Sequence, residues 1–217
     1  MVLIDSPGGS REPHWSADYC ERLAARLHGE GAQVERLHAT RGAPAPLHQV
    51  ATTFTDVPEE VALANALRAT PAHVVVHAGA GARGSPNLLW LAARLGSACV
   101  GVVRMPEVVC QRGDLVDRDD AACATFDDPA RCAWCCRRSF FQKARPADFL
   151  NRMDLVVASL QVCEEVWTIG AGDGDSDRAA LEGVGVPRRA LRSASDDEAV
   201  ERIAAALPAI ARTVVPT

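Results

Sequence analysis

Ala72-His73-Val74-Val75-Val76-His77, then the glycines Gly79, Gly81 and Gly84, then Asn87-Leu88-Leu89-Trp90-Leu91-Ala92-Ala93-Arg94-Leu95, then Cys99-Val100-Gly101-Val102-Val103, is the stretch that decides the fold. The valine run is short, apolar and β-branched, as expected of a strand buried on both faces. The glycines form a loop. Residues 87–95 have helical length and composition, and residues 99–103 return to a buried strand. Parallel neighbours in a sheet need a crossover, usually a helix. Strand, glycine loop, helix and strand therefore read as one unit of a parallel sheet.

The same alternation extends towards the N-terminus. Residues 2–5 are a short apolar strand, followed by the glycine turn Ser6-Pro7-Gly8-Gly9-Ser10. Over residues 15–28, Tyr19, Leu23 and Leu27 recur four apart, which places them on one helical face. Gly29 and Gly31 end that helix, and residues 34–37 read as a second strand. A polar loop over residues 39–55 leads to a helix starting near Pro58, with Asp56 as its cap. Towards the C-terminus the spacing predicts a helix over 139–151, a strand over 155–158 and a short helix over 160–167. An acidic loop over 170–177 and a last helix over 197–212, capped by Ser195 or Asp196, complete the chain. The expected architecture is α/β: a doubly wound, mostly parallel, Rossmann-like sheet covered by helices on both faces. Residues 1–217 form one domain of this kind, with residues 106–137 as an insert. Ligands on such sheets bind at the carboxyl ends of the strands, which both glycine loops follow.

Composition limits the function. Lys and Arg number 23 against 28 Asp and Glu, a formal net charge of −5 with no basic stripe. Nucleic acid is thus an unfavourable partner. No apolar run approaches the length of a membrane span. The first residues lack a charged leader and a long apolar region, so a cytoplasmic protein is expected. In that reducing setting the eight cysteines read as thiols or metal ligands.

Four of them are arranged as Cys110-x12-Cys123-x8-Cys132-x2-Cys135, with Cys136 directly following. The closing pair puts two thiols one turn apart. Four thiolates make a closed zinc site, which holds shape and does no chemistry of its own. An iron–sulfur cluster uses the same ligand set, and spacing does not separate the two. Cys20, Cys99 and Cys163 fall within predicted elements and read as small core residues. Gly8 and Gly9 allow close backbone approach to a ligand or make a plain turn. His77 either binds a ligand hydroxyl or is a hydrogen-bonded histidine at the sheet rim, and His14 is open in the same way. Asp173, Asp175 and Asp177 are spaced like the start of a calcium loop, but Arg178 and Val184 replace the required glycine and glutamate, leaving a solvated acidic loop.

Taken together, these residues resemble the N-terminal, acceptor-side half of a family 4 glycosyltransferase of the two-domain GT-B type. Pro7-Gly8-Gly9-Ser10, the helix carrying Tyr19, Leu23 and Leu27, and Gly31-Ala32-Gln33-Val34 are similar to that family's first strand, glycine loop and helix. Leu88 to Gly96 running into Cys99 to Val103 is similar to a later helix and strand. Cys110-Gln111-Arg112, Cys123 and Cys132-Ala133-Trp134-Cys135 resemble a cysteine insert found in some members. Asp154 to Ser159 resembles the next strand, and Gly185-Val186-Pro187 a later turn. The likeness covers roughly residues 1–193. Where the family has His-Asp before its insert, this sequence has Arg104-Met105. The family's second domain, which supplies most of the nucleotide-sugar site, has no counterpart after Ser193.

The resemblance implies a transferase half that binds a sugar or other small-molecule acceptor at Gly8, Gly9, His77 and Gly79, and that docks on a donor-domain partner protein. Its metal would sit on Cys110, Cys123, Cys132 and Cys135. Two other readings stand beside it. One is a small independent enzyme with His77, His14 and Arg104 lining a new pocket. The other is an iron–sulfur or redox protein in which the cysteines are the function.

Overall fold

The computed structural model describes residues 1–5, 15–38, 57–80, 85–110, 115–123, 128–136, 145–170 and 174–213. The first half follows the expected alternation. Strand β1 (Val2–Asp5) leads to helix α1 (Trp15–Gly29), strand β2 (Glu35–His38), helix α2 (Val57–Ala69), strand β3 (Val74–Ala78), helix α3 (Leu88–Arg94) and strand β4 (Ala98–Val103). After β4 come the short helix α4 (Met105–Val109), helix α5 (Pro129–Cys136) and helix α6 (Pro146–Gln161). Strand β5 (Glu165–Ile169), helix α7 (Gly174–Gly183), a 3-10 turn at Arg188–Ala190, strand β6 (Leu191–Ala194) and helix α8 (Asp196–Ala211) complete it.

The six strands form one sheet in the order β2-β1-β3-β4-β5-β6, and every pairing is parallel. Side chains alternate across the strands and so feed two apolar layers. On one face Val2, Ile4, Val75, Cys99, Val103 and Val166 pack with Leu63 of α2, Leu89 of α3, Leu160 of α6 and Leu181 of α7. On the other, Leu3, Val76, Val100 and Trp167 pack with Tyr19 and Leu23 of α1 and Ile203 and Leu207 of α8. Each fully buried leucine or isoleucine contributes about 1.5–3 kcal/mol of transfer free energy. Cys20, Cys99 and Cys163 are buried, as expected of small core residues.

The second half corrects the sequence reading in four places. Residues 155–158 are not a strand, and no helix covers 160–167. The helix α6 runs through Leu155 to Gln161, and the strand comes afterwards, at Glu165–Ile169. Phe149, Arg152, Val156 and Leu160 recur at helical spacing and are all buried. That periodicity overrides the strand preference of Val156 and Val157. The segment Asp154 to Ser159, likened above to a transferase strand, is therefore helical. Within 170–177, residues from Gly174 onward belong to α7, whose first turn holds Asp175 and Asp177, a favourable place for negative charge. The strand β6 has no counterpart in the sequence reading. Within 106–137, the described residues form α4, α5 and a small turn closed by the bridge Val116–Ala122, where an irregular loop was expected.

Candidate functional site

The strand order reverses between β1 and β3: the chain moves outward from β1 to β2, then returns to the other side of β1. Asp5 at the end of β1 lies in register with Ala78 at the end of β3. This is the topological switch point at which open α/β sheets bind ligands. Gly79 follows at once, with φ +82°, a conformation glycine adopts without steric penalty. Its N–H donates to the Val102 carbonyl at 2.9 Å, so β3 stays paired up to the turn. Gly8, Gly9, His14, Gly81 and Gly84 lie outside the described residues.

Asp5 is buried, and Arg36 donates to its Oδ2 at 3.3 Å and to the Ala17 carbonyl at 3.3 Å. His77 is buried on the α3 and α6 side of the sheet. Burial pushes its pKa down to about 4, so it is neutral at pH 7. It sits in register with Gly101. A Cβ at Gly101 would come within 2.9 Å of Leu160 Cδ2, so glycine is what lets α6 close over this part of the sheet. A hollow lined by His77, Ala80, Pro86, Val156, Ser159 and Leu160 opens beside the histidine.

Arg104 belongs to a different construction. It precedes α4, donates to Asp196 Oδ2 at 3.0 Å and lies with Cζ 4.8 Å from the Trp15 ring centroid. Trp15 Nε1 donates to Glu107 Oε1 at 2.6 Å. The group clamps the beginnings of α1 and α8 onto α4. The contacts described for Arg104 are with α1 and α8, the helices that cover the face opposite His77.

The return from the second glycine loop is held by carboxylates that sequence reasoning missed. Glu59 Oε2 accepts from the Ser85 N–H at 2.9 Å, and Glu60 Oε1 accepts from Ser85 Oγ at 2.6 Å and Asn87 Nδ2 at 3.1 Å. Their only signal was an acidic pair in a first helical turn, which the helix dipole explains equally well.

The cysteine segment has a scaffold of its own. Asp117 Oδ1 accepts from the N–H groups of Asp119 and Ala121, and Oδ2 accepts from Arg131 at 2.8 Å. These hydrogen bonds hold its carboxyl below the ordinary carboxylate range. The guanidinium groups of Arg118 and Arg131 lie 4.3 Å and 4.0 Å from the Trp134 ring. Trp134, inside the closing Cys-x-x-Cys, thereby ties α5 to the small turn. Cys110 ends α4, Cys123 N–H donates to the Leu115 carbonyl at 2.7 Å, and Cys132 and Cys135 stand on α5. All four are partly exposed and stand outside any disulfide. Burial first, then the neighbouring Cys110, Cys123 and Cys135, push the Cys132 thiol up to about 11. The four thiols share one neighbourhood. Among the described residues, however, no group of three or more His, Cys, Asp or Glu side chains is arranged to hold a metal ion. The donor chemistry fits zinc or iron, while the sulfurs do not form a coordination shell as they stand. The side chain of Cys136 lies outside the described residues.

Among the described residues no helix is long and apolar enough to cross a membrane. No protein-family model, no curated protein and no solved structure matches this chain.

Proposed function

We propose that this chain is the acceptor-side half of a sugar-transfer system. It binds a hydroxyl-bearing acceptor at the carboxyl ends of β1 and β3 and works with a donor-binding domain. The observation that carries the reading is the switch point itself: an all-parallel sheet whose order reverses beside Gly79 and the buried, neutral His77. The switch point alone is shared by many α/β proteins. What narrows it to sugars is the likeness of the glycine turn, the helices and the cysteine insert to family 4 glycosyltransferases. His77 and Gly79 are the ligand-side residues of this reading, together with Gly8 and Gly9, which lie outside the described residues.

The test is a titration of isotope-labelled protein with glucose, mannose and N-acetylglucosamine, followed by the backbone amide resonances. Saturable shifts at residues 77–80 are expected with at least one sugar. Shifts absent with all three, or confined to residues 196–213, overturn the reading.

The grouping of thiols around Cys132 favours a structural metal in the same protein. Cys110, Cys123, Cys132 and Cys135 would hold it, drawing together to do so. When bound, zinc would supply shape and no reaction step. Elemental analysis checks this: one zinc per colourless chain is expected. Iron with visible absorbance would make the cluster an iron–sulfur centre and move the function to the cysteines.

A further inference from the structure

We propose that Trp134 is a positioning residue for the thiol cluster: it holds the turn that carries Cys123 against α5, so that Cys123 can complete a four-thiolate set with Cys110, Cys132 and Cys135. The inference deepens the structural-metal reading above and rests on it. Three of the thiols come with helices, since Cys110 directly follows α4 and Cys132 and Cys135 stand on α5. Cys123 comes with the small turn closed by the Val116–Ala122 bridge, and its N–H donates to the Leu115 carbonyl at 2.7 Å. Leu115 has φ +51°, a left-handed conformation that is strained for a leucine, and its side chain packs on the edge of one apolar layer. That end of the turn is anchored beside the sheet. Eight residues separate Cys123 from Cys132, too many for the chain alone to fix one sulfur relative to the other. The turn therefore needs a tie to α5 at its other end.

The two residues inside Cys132-x2-Cys135 divide the work. Ala133 is buried with Phe149 and seats α5 on α6. Trp134 carries the turn. Arg118, from the turn, has Cζ 4.3 Å from the indole centroid, and Arg131, from α5, lies at 4.0 Å. The Arg118 side chain is only 20% exposed and reaches Asp119 loosely, at 3.9 Å. Its Nε–H is buried and makes no hydrogen bond. The indole face is thus the surface on which this guanidinium rests, and a cation on an indole is held more strongly as water is removed. The other described tie, Arg131 to Asp117 at 2.8 Å, uses an arginine side chain that is 41% exposed. Exposed ion pairs are weak, so the indole is the stronger of the two. Its place between two ligand positions lets one residue set the distance from α5 to Cys123.

Cobalt(II) is the probe, titrated anaerobically into the reduced, metal-free chain and then displaced by zinc. Thiolate-to-cobalt absorption reports the number of sulfurs bound, and the zinc competition reports affinity. Wild type is expected to give a tetrahedral four-thiolate spectrum. Trp134→Ala should bind about tenfold more weakly and lose about a quarter of the thiolate absorption, as one ligand of a closed four-sulfur site departs. Trp134→Phe, which keeps an aromatic face, should recover most of both. The deciding measurement is a pair of double-mutant cycles. With Cys123→Ser, Trp134→Ala should cost nothing further, whereas with Cys110→Ser it should cost its full tenfold. A tryptophan that merely stabilised α5 would cost the same in both. Equal losses in the two cycles, or wild-type affinity in Trp134→Ala, overturn the proposal. Thermal melts establish that each chain is folded. If Trp134→Ala does not fold, Arg118→Met, which removes the stacked cation and leaves α5 unaltered, takes its place in the same cycles under the same criteria. Wild type that binds neither cobalt nor zinc removes the metal reading and this proposal with it. Metal binding by wild type without coupling between Trp134 and Cys123 removes the proposal alone.

Discussion

His77 couples the site to pH. Its ordinary pKa is about 6.5, and burial lowers it to about 4 in the folded chain. Below about pH 6.5 the unfolded chain takes up a proton that the native chain refuses until about pH 4. Stability is therefore whole above pH 6.5 and falls as pH drops through that window. At pH 4.5 the loss from this residue amounts to about 2–3 kcal/mol. Urea unfolding at pH 7.0 and 4.5 should show a smaller pH difference for His77→Gln by that amount, and superimposable pH dependences would refute it. Its sheet neighbour gives a second residue-scale prediction. Gly101→Ala drives a methyl to 2.9 Å from Leu160 Cδ2, and Leu160 is fully buried. Overpacking of this kind costs about 1–3 kcal/mol, readable as a lowered melting temperature with the fold retained. His77 and Gly101 were visible in the sequence as members of strands. Their pairing was not, because register between separate strands is a tertiary fact. Ser159 was hidden for a plainer reason: its stretch read as the end of a strand.

Elements were legible where one period dominated. In α1, Tyr19, Leu23 and Leu27 recur at one spacing, and all three are buried. In α6 two signals compete over Leu155, Val156 and Val157, and only the longer span from Phe149 to Leu160 separates them. β6 is four residues long and carries Arg192 and Ser193, so its apolar signal is too brief to register. α4 was invisible because it is five residues long and opens on Pro106 at its N-terminus. Yet it joins the rim to the cysteines. Its Glu107 holds Trp15 at 2.6 Å, its last residue precedes Cys110, and Arg152 of α6 donates to the Glu107 and Val108 carbonyls at 2.8 Å and 3.0 Å. Arg152 is 5% exposed, so Arg152→Met leaves buried carbonyls without that donor. The expected cost is about 3 kcal/mol. Faster amide exchange should follow over residues 105–110, while residues 74–78 keep their protection. Unchanged exchange at 105–110 would show that α4 is held by its apolar contacts alone.

At the scale of the whole molecule, two kinds of construction meet. The sheet is covered on both faces by continuous apolar layers that include none of the four clustered thiols. Among the described residues from 115 to 136, the apolar contacts are Ala133 with Phe149 of α6, Cys132 packed against them, and Leu115 packed on the edge of one layer. Otherwise the cysteine segment relies on Asp117, Arg131, Trp134 and Arg118, polar contacts at a partly exposed surface. Such contacts are individually weak in water, so this segment has the lowest local stability of the parts described and gains most from a bound ion. Chelation of metal-loaded protein should therefore raise amide exchange in residues 110, 115–123 and 128–136. The β1, β3 and β4 amides and the far-ultraviolet dichroism should barely change. Because Cys110 directly follows α4 and Glu107 lies within it, the Trp15 indole N–H resonance, assigned through Trp15→Phe, is the sensor of how far the loosening travels. It should move on chelation while the Trp167 indole stays in place. Cooperative loss of the whole sheet on chelation would mean that the thiol cluster, and not the two apolar layers, holds the fold together.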